Sequence, residues 1–207
     1  MLVNPDKIIV ANVGDSRAVM SRSTGSVDLS VEHRVYGRGE AVESETRRIE
    51  ASGGWVEDGR VCGILAVSRA FGDADFKGSG LDNMLLKGIE DGFWTQEFAG
   101  SKQFVSDPVI SVPDVLEMSI IPETDEFVIV ASDGLWDVVS SDEGCKFVKN
   151  DLKKGENPTK AAQKLVDIAT KRRTPDNVAV VVIDLKGEDF WTKQQAANQS
   201  KKMFGLF

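Results

Sequence analysis

The sequence predicts an α+β chain, and three observations carry that expectation. β-branched, apolar runs recur at 7–13, 126–131 and 178–183, each beginning or ending at a turn rich in Gly, Asp or Asn. Between them lie helical patterns at 43–51 and 157–169, with apolar residues at three- and four-residue spacing in the second. Turn dipeptides such as Gly14-Asp15, Asp58-Gly59 and Asp133-Gly134 punctuate the whole chain.

In chain order, Lys7 to Val13 is a strand that stops at Gly14-Asp15-Ser16-Arg17, and Ala18-Val19-Met20 is a second strand closed by Gly25. Glu43 to Ala51 is a helix with Glu43 and Arg47 spaced for an i,i+4 pair, and Gly53-Gly54 stops it. Trp55-Val56 returns as Arg60-Val61-Cys62 in a hairpin around Asp58-Gly59. Gly78 to Gln103 is too long for a simple loop and too apolar for a linker, so it is expected to be a surface insertion with a short helix of its own. Strands follow at 108–112, 116–121 and, most strongly, 126–131. Ser141 is placed to cap a helix reaching about Lys154, and Asn157-Pro158 starts another whose Ala161, Ala162, Leu165, Val166 and Ala169 form one apolar face. A buried strand at 178–183 precedes a stretch that turns polar after Asp184 and ends in an apolar run from Met203 to Phe207.

Composition removes several function classes. The 207 residues carry 25 Lys+Arg against 33 Asp+Glu, a net charge of −8, which is a poor match to phosphate backbones or anionic membranes. Nucleic acid is therefore not an expected partner, and no run is long and apolar enough to predict a membrane span. One histidine, His33, and two cysteines, Cys62 and Cys145, cannot build a His- or Cys-rich zinc site. Acids must carry any metal chemistry. The two cysteines point to a reducing, intracellular compartment, cytoplasmic or nuclear.

Three strands meet an aspartate at one end: Asp15 after the first, Asp133 after the central one, Asp176 before the last. Carboxylates at a sheet rim suit Mg²⁺ or Mn²⁺, which take oxygen ligands and keep several waters. Gly-Asp and Asp-Gly are also ordinary turn formers, so each residue alone has a purely structural explanation.

Five blocks resemble the metal-dependent protein phosphatases of the PP2C (PPM) type: 10–19 with Asn12-Val13-Gly14-Asp15-Ser16-Arg17, 48–54 ending Ser52-Gly53-Gly54, 65–73 with Ser68-Arg69 and Gly72-Asp73, 131–137 with Ser132-Asp133-Gly134-Leu135-Trp136-Asp137, and Asp176-Asn177 before a Val-rich strand. Their order agrees from Lys7 to Asp184, which is far more specific than any single motif. The resemblance implies a sandwich of two antiparallel β-sheets flanked by α-helices, and hydrolysis of phosphoserine or phosphothreonine in proteins by metal-activated water. It implies two Mg²⁺ or Mn²⁺ ions about 4 Å apart, or three in a complete site. Asp133 and Asp176 match ligands to one metal of the pair, and Asp15 matches the weaker third position, with Asp133 shared and Asp137 a further member. Residues 32–57 match the family's flap region, where His33 is expected to be structural or exposed and not catalytic. Ser68-Arg69 and Gly72-Asp73 are expected to fix a tight turn and an internal ion pair.

The family's Asp-Gly-His-Gly block, with its bridging Asp and candidate proton-donor His, and its phosphate-holding Arg do not occur in this sequence, so the catalytic residues are not assigned here. Residues 1–185 are accordingly expected to be a partial phosphatase domain, the C-terminal two-thirds of one, with an insertion at about 78–103 and a polar tail at 186–207. The chain reads as a fragment of a longer enzyme; the alternative is a catalytically inactive pseudophosphatase or binding module. Cysteine-dependent phosphatase chemistry is set aside because Cys62 and Arg69 are one residue too far apart and Val61 stands where a His is needed. Asp73-Ala74-Asp75 resembles a phosphoaspartyl pair but does not follow a buried strand. A narrower likeness, on residues 83–94 and 184–191, is to plant and algal thylakoid-associated phosphatases of light-harvesting antenna proteins, which implies a plastid location.

Overall fold

The computed structural model describes residues 1–203, with side chains through 196. The apolar end expected at 204–207 lies outside the described residues. The strands are β1 (Leu2–Val3), β2 (Lys7–Asn12), β3 (Arg17–Arg22), β4 (Gly25–Asp28), β5 (Val56–Glu57), β6 (Arg60–Val61), β7 (Asp114–Ser119), β8 (Asp125–Ala131) and β9 (Val180–Asp184). The helices are α1 (Glu40–Ala51), α2 (Gly80–Glu90), α3 (Gln96–Gly100), α4 (Asp133–Trp136), α5 (Ser141–Leu152), α6 (Pro158–Lys171) and α7 (Glu188–Met203). Contacts divide the chain into two compact units: Met1–Ala11, Ser16–Ser30 and the described residues from Val115 onward form the first, and Asn12–Asp15 with Val31–Asp114 form the second.

The first unit is built on a four-stranded antiparallel sheet in the order β4-β3-β8-β9. Its central strand β8 is apolar at every position from Phe127 to Ala131 because both faces are covered. Phe127, Ile129 and Ala131 pack with Leu135, Trp136, Val148, Leu152 and Leu165 beneath α5 and α6, while Val128 points the other way, to Ile8, Val10 and Met20. Ile8 and Val10 belong to a second sheet, ordered β1-β2-β7. Each of the buried Val, Leu, Ile, Phe and Met side chains among these contributes about 1.5–3 kcal/mol by leaving water. Two antiparallel sheets, one faced by helices, confirm the α+β expectation.

Local chemistry explains the starts of α5 and α6 and two departures. Asn157 caps α6 by accepting from the Lys160 amide, with Pro158 in the first turn. α5 is capped by Ser140, not Ser141: the Ser140 hydroxyl accepts from the Glu143 amide, and the Ser141 hydroxyl instead donates to Asp28. Gly25 does not end the second strand's ribbon but opens β4, since its φ of +148° turns β3 back on itself. The polar stretch after Asp184 carries α7, which is anchored by Trp191, 4% exposed, packing near Phe127 and donating its indole N–H to Asp184.

The second unit has its own core of Val35, Ile49, Val61, Phe76, Leu81, Met84 and Val109. Asp58 and Gly59 both take positive φ, the geometry a two-residue hairpin needs, and join β5 to β6 as expected. Residues 78–103 fold into two helices, α2 and α3, where one was expected; Trp94 lies against Gly88, leaving no room for a side chain there. The strand expected at 108–112 is reduced to a single bridge between Arg69 and Ile110, because Pro108 and Pro113 supply no amide donors at either end.

Candidate metal centre

In the first unit, antiparallel pairing brings the end of β8 beside the start of β9, with Ala131 opposite Val180. Asp133, the first residue of α4, and Asp176, in the loop before β9, are therefore at the same rim of the sheet although 43 positions apart in sequence. The approach is tight: Ser132 shares hydrogen bonds with the Asn177 carbonyl and the Ala179 amide, and a Cβ on Gly134 would lie 2.4 Å from the Asn177 oxygen. Only glycine allows that contact. One oxygen of each carboxylate accepts from the next residue's amide, Gly134 for Asp133 and Asn177 for Asp176. The Trp136 indole donates to the Ala131 and Arg17 carbonyls and holds α4 against the strand end.

This rim concentrates negative charge. Partial burial first, then the like charges of Asp176 and Asp137, hold the Asp133 carboxyl above its ordinary range, against a lowering pull from the Gly134 amide. Asp137 stands one helical turn on, its amide donating to the Asp133 carbonyl. A hard cation relieves this repulsion, and carboxylate oxygens are the donors it prefers. Two carboxylates and a cradle only glycine permits therefore fit a partly hydrated Mg²⁺ or Mn²⁺. Among the described residues, no group of three or more His, Cys, Asp or Glu side chains converges closely enough to cage an ion unaided.

Asp15 lies in the second unit, on the turn after β2. Gly14 takes φ +108°, a conformation that favours glycine. Its amide donates to His33 Nδ1 at 3.2 Å and its carbonyl accepts from the His33 amide at 3.0 Å and from the Asn12 side chain at 2.9 Å. Because Nδ1 accepts, the ring proton sits on Nε2, 3.1 Å from Asp114 Oδ2. Asp114 Oδ1 accepts from Arg69, Arg69 donates twice to Glu45 Oε1, and Glu45 Oε2 accepts from Ser68 and Arg48. Burial opposes ionisation of Glu45, but hydrogen bonds from Arg69, Ser68 and Arg48 overcome it and hold the carboxyl at about 2.

His33, 1% exposed, is buried and not solvent-exposed, and both its ring nitrogens have partners, Gly14 and Asp114, that its solitary place in the sequence did not suggest. The ion pair expected at Ser68-Arg69 is present, but its partners are Glu45 and Asp114; Asp73 instead opens a single 3₁₀ turn at φ +48°. Asp114, the first residue of β7 after Pro113, carried no sequence signal. Burial pushes the Cys62 thiol up to about 11, which removes the reactive thiolate a cysteine-dependent phosphatase requires.

The chain belongs to the protein phosphatase 2C family, whose sequence pattern matches residues 1–178. It is 38% identical over 200 residues to protein phosphatase 2C 57 of Arabidopsis thaliana, covering 97% of this chain and 51% of that protein. It is also 38% identical over 186 residues to protein phosphatase ppm-1.G of Caenorhabditis elegans, covering 87% of this chain and 33% of that one. The chain therefore spans about half the length of the first and a third of the second. Among solved structures, a phosphatase from a pathogenic strain of Toxoplasma gondii superposes with a TM-score of 0.64 at 26% identity, covering 86% of this chain and 47% of that chain. A serine-threonine phosphatase 2C from the same organism gives 0.59 at 22% identity, covering 86% and 54%, and speaks to the fold alone. The family is metal-dependent, and nothing in these likenesses favours the inactive alternative. Among the described residues, no helix is long and apolar enough to cross a membrane.

Proposed function

We propose that this chain supplies part of a protein serine/threonine phosphatase, with Asp133 and Asp176 holding Mg²⁺ or Mn²⁺ and Asp15 holding a further, weaker cation. The observation that carries the reading is the rim where Asp133 and Asp176 meet, their charges unbalanced, beside a glycine that nothing else could replace. A bound divalent cation lowers the pKa of water and draws charge from phosphoryl oxygens. The chain's own part is to fix the carboxylates: the β8/β9 register sets their separation, Ser132 ties the two loops, and the amides of Gly134 and Asn177 orient one oxygen of each. The substrate is a phosphoprotein. The likeness of 83–94 and 184–191 to thylakoid-associated phosphatases supports an antenna protein in a plastid.

Hydrolysis of a phosphothreonine peptide with added Mn²⁺ tests the activity, alongside Mn²⁺ binding by paramagnetic resonance. Asp133→Asn is expected to abolish hydrolysis and to weaken binding at least about tenfold. Turnover that survives that substitution, or that ignores chelation, refutes the assignment. Faster release of phosphate from antenna phosphopeptides than from unrelated ones supports the substrate class, and equal rates overturn it.

A further inference from the structure

We propose that His33 is a positioning residue for Asp15: it fixes the turn that presents the carboxylate to its cation, and Asp114 fixes His33. The inference rests on the reading that Asp15 holds a cation.

The turn needs an external anchor. Gly14 at φ +108° has no regular pairing of its own, since β2 ends at Asn12 and β3 begins at Arg17. Both polar backbone groups of Gly14 are taken by the same residue: its amide by His33 Nδ1, its carbonyl by the His33 amide. One contact holds the Val13–Gly14 peptide and the other the Gly14–Asp15 peptide, so Gly14 is fixed on both sides, and the Gly14–Asp15 peptide sets the direction in which the Asp15 side chain leaves the backbone. The Asn12 amide also bonds the Gly14 and Val31 carbonyls, tying the strand end to the segment that carries His33.

The ring itself is held. It is buried, so a rotated imidazole would strand a polar nitrogen away from water. Asp114 accepts from Nε2 and is pinned in turn by Arg69, which Glu45 of α1 holds through two hydrogen bonds. The His33 carbonyl accepts from the Ser68 amide, and the Ser68 hydroxyl donates to that same Glu45. The path from the Asp15 turn to the helix is an unbroken run of hydrogen bonds between side chains held at both ends, so it transmits position.

The outer partners of a metal ligand are commonly worth about 10–100-fold in metal affinity. The test uses the 207-residue chain, with Mn²⁺ titrations and amide hydrogen exchange. Asp15→Asn defines the Asp15-dependent part of Mn²⁺ binding. His33→Leu, which fills the space but accepts nothing, is expected to weaken that part about tenfold and to speed exchange of the Gly14 amide, with β3 and β8 still protected. His33→Asn, whose Oδ1 reaches where Nδ1 was, is expected to recover most of the affinity. A side chain that mattered only for packing would show the reverse order. Should His33→Leu fold poorly, Asp114→Ala releases the ring from a half-exposed position and is expected to weaken the same binding step about threefold, a partial loss of that partner effect. The positioning role is overturned if Asp15→Asn weakens binding while His33→Leu and Asp114→Ala do not, or if the Gly14 amide stays protected in His33→Leu. Unchanged binding in Asp15→Asn overturns the cation reading itself, and the positioning role with it.

Discussion

Replacing Glu45 by Gln puts a number on the buried relay. The carboxyl is 4% exposed and accepts from Ser68 at 2.6 Å, Arg48 at 2.9 Å and Arg69 at 2.6 and 3.1 Å. Its displacement from 4.5 to about 2 corresponds to about 3 kcal/mol of stability at neutral pH. Breaking a buried pair from one side costs about 3–5 kcal/mol, so the two routes agree. The folded protein ionises this carboxyl more readily than the unfolded chain does. Its contribution is therefore complete above pH 4.5 and disappears as pH falls to about 2. Urea denaturation of parent and Glu45→Gln, followed by tryptophan fluorescence across this range, should show a gap of about 3 kcal/mol at pH 7 that closes toward pH 2. The difference between the two proteins isolates Glu45, because the other carboxylates titrate in both. A gap below about 0.5 kcal/mol at pH 7, the scale of an ordinary surface change, refutes the reasoning; so does a gap that does not depend on pH.

Further expectations concern the rim and the core. Gly134→Ala drives a methyl to 2.4 Å from the Asn177 oxygen, so the protein should lose about 1–3 kcal/mol and bind Mn²⁺ more weakly, as denaturation and titration will show. Trp191→Ala should cost about 3–5 kcal/mol in thermal or chemical unfolding, since the indole is 4% exposed and bonded to Asp184; a loss under about 1 kcal/mol would mean α7 is not part of the core. Burial pushes Cys62 up to about 11 and Cys145 up to about 12, so both thiols should resist alkylation at pH 8 in the folded protein and react promptly in urea.

Much of this was legible in the sequence because the signals were local. A β-branched run with both faces buried announces β8, Asn157-Pro158 announces α6, and Asp58-Gly59 announces a hairpin. Asp133 and Asp176 stood out because both flank such runs, and pairing of neighbouring strands then joined them. The illegible parts depend on distant partners. Glu45 looks like one more surface acid on a charged helix until Ser68, Arg48 and Arg69 close over it. Asp114 has nothing local to mark it. The choice of Ser140 over Ser141 as cap was decided by Asp28, which takes the Ser141 hydroxyl from 113 positions away. The 108–112 segment has the composition of a strand, yet its bounding prolines deny it a ladder.

The pairing of Ala131 with Val180 has a consequence for how this sequence can vary. Exchanging one valine of β9 for isoleucine changes a side chain and leaves the carboxylates where they are. Deleting one residue from β9 either moves Asp176 along the rim by about 3.3 Å or, with Asp176 held, turns every later side chain of the strand to the opposite face. The strand is thus tolerant of substitution and intolerant of changes in length, and its residue count, more than its composition, specifies the distance between the two aspartates.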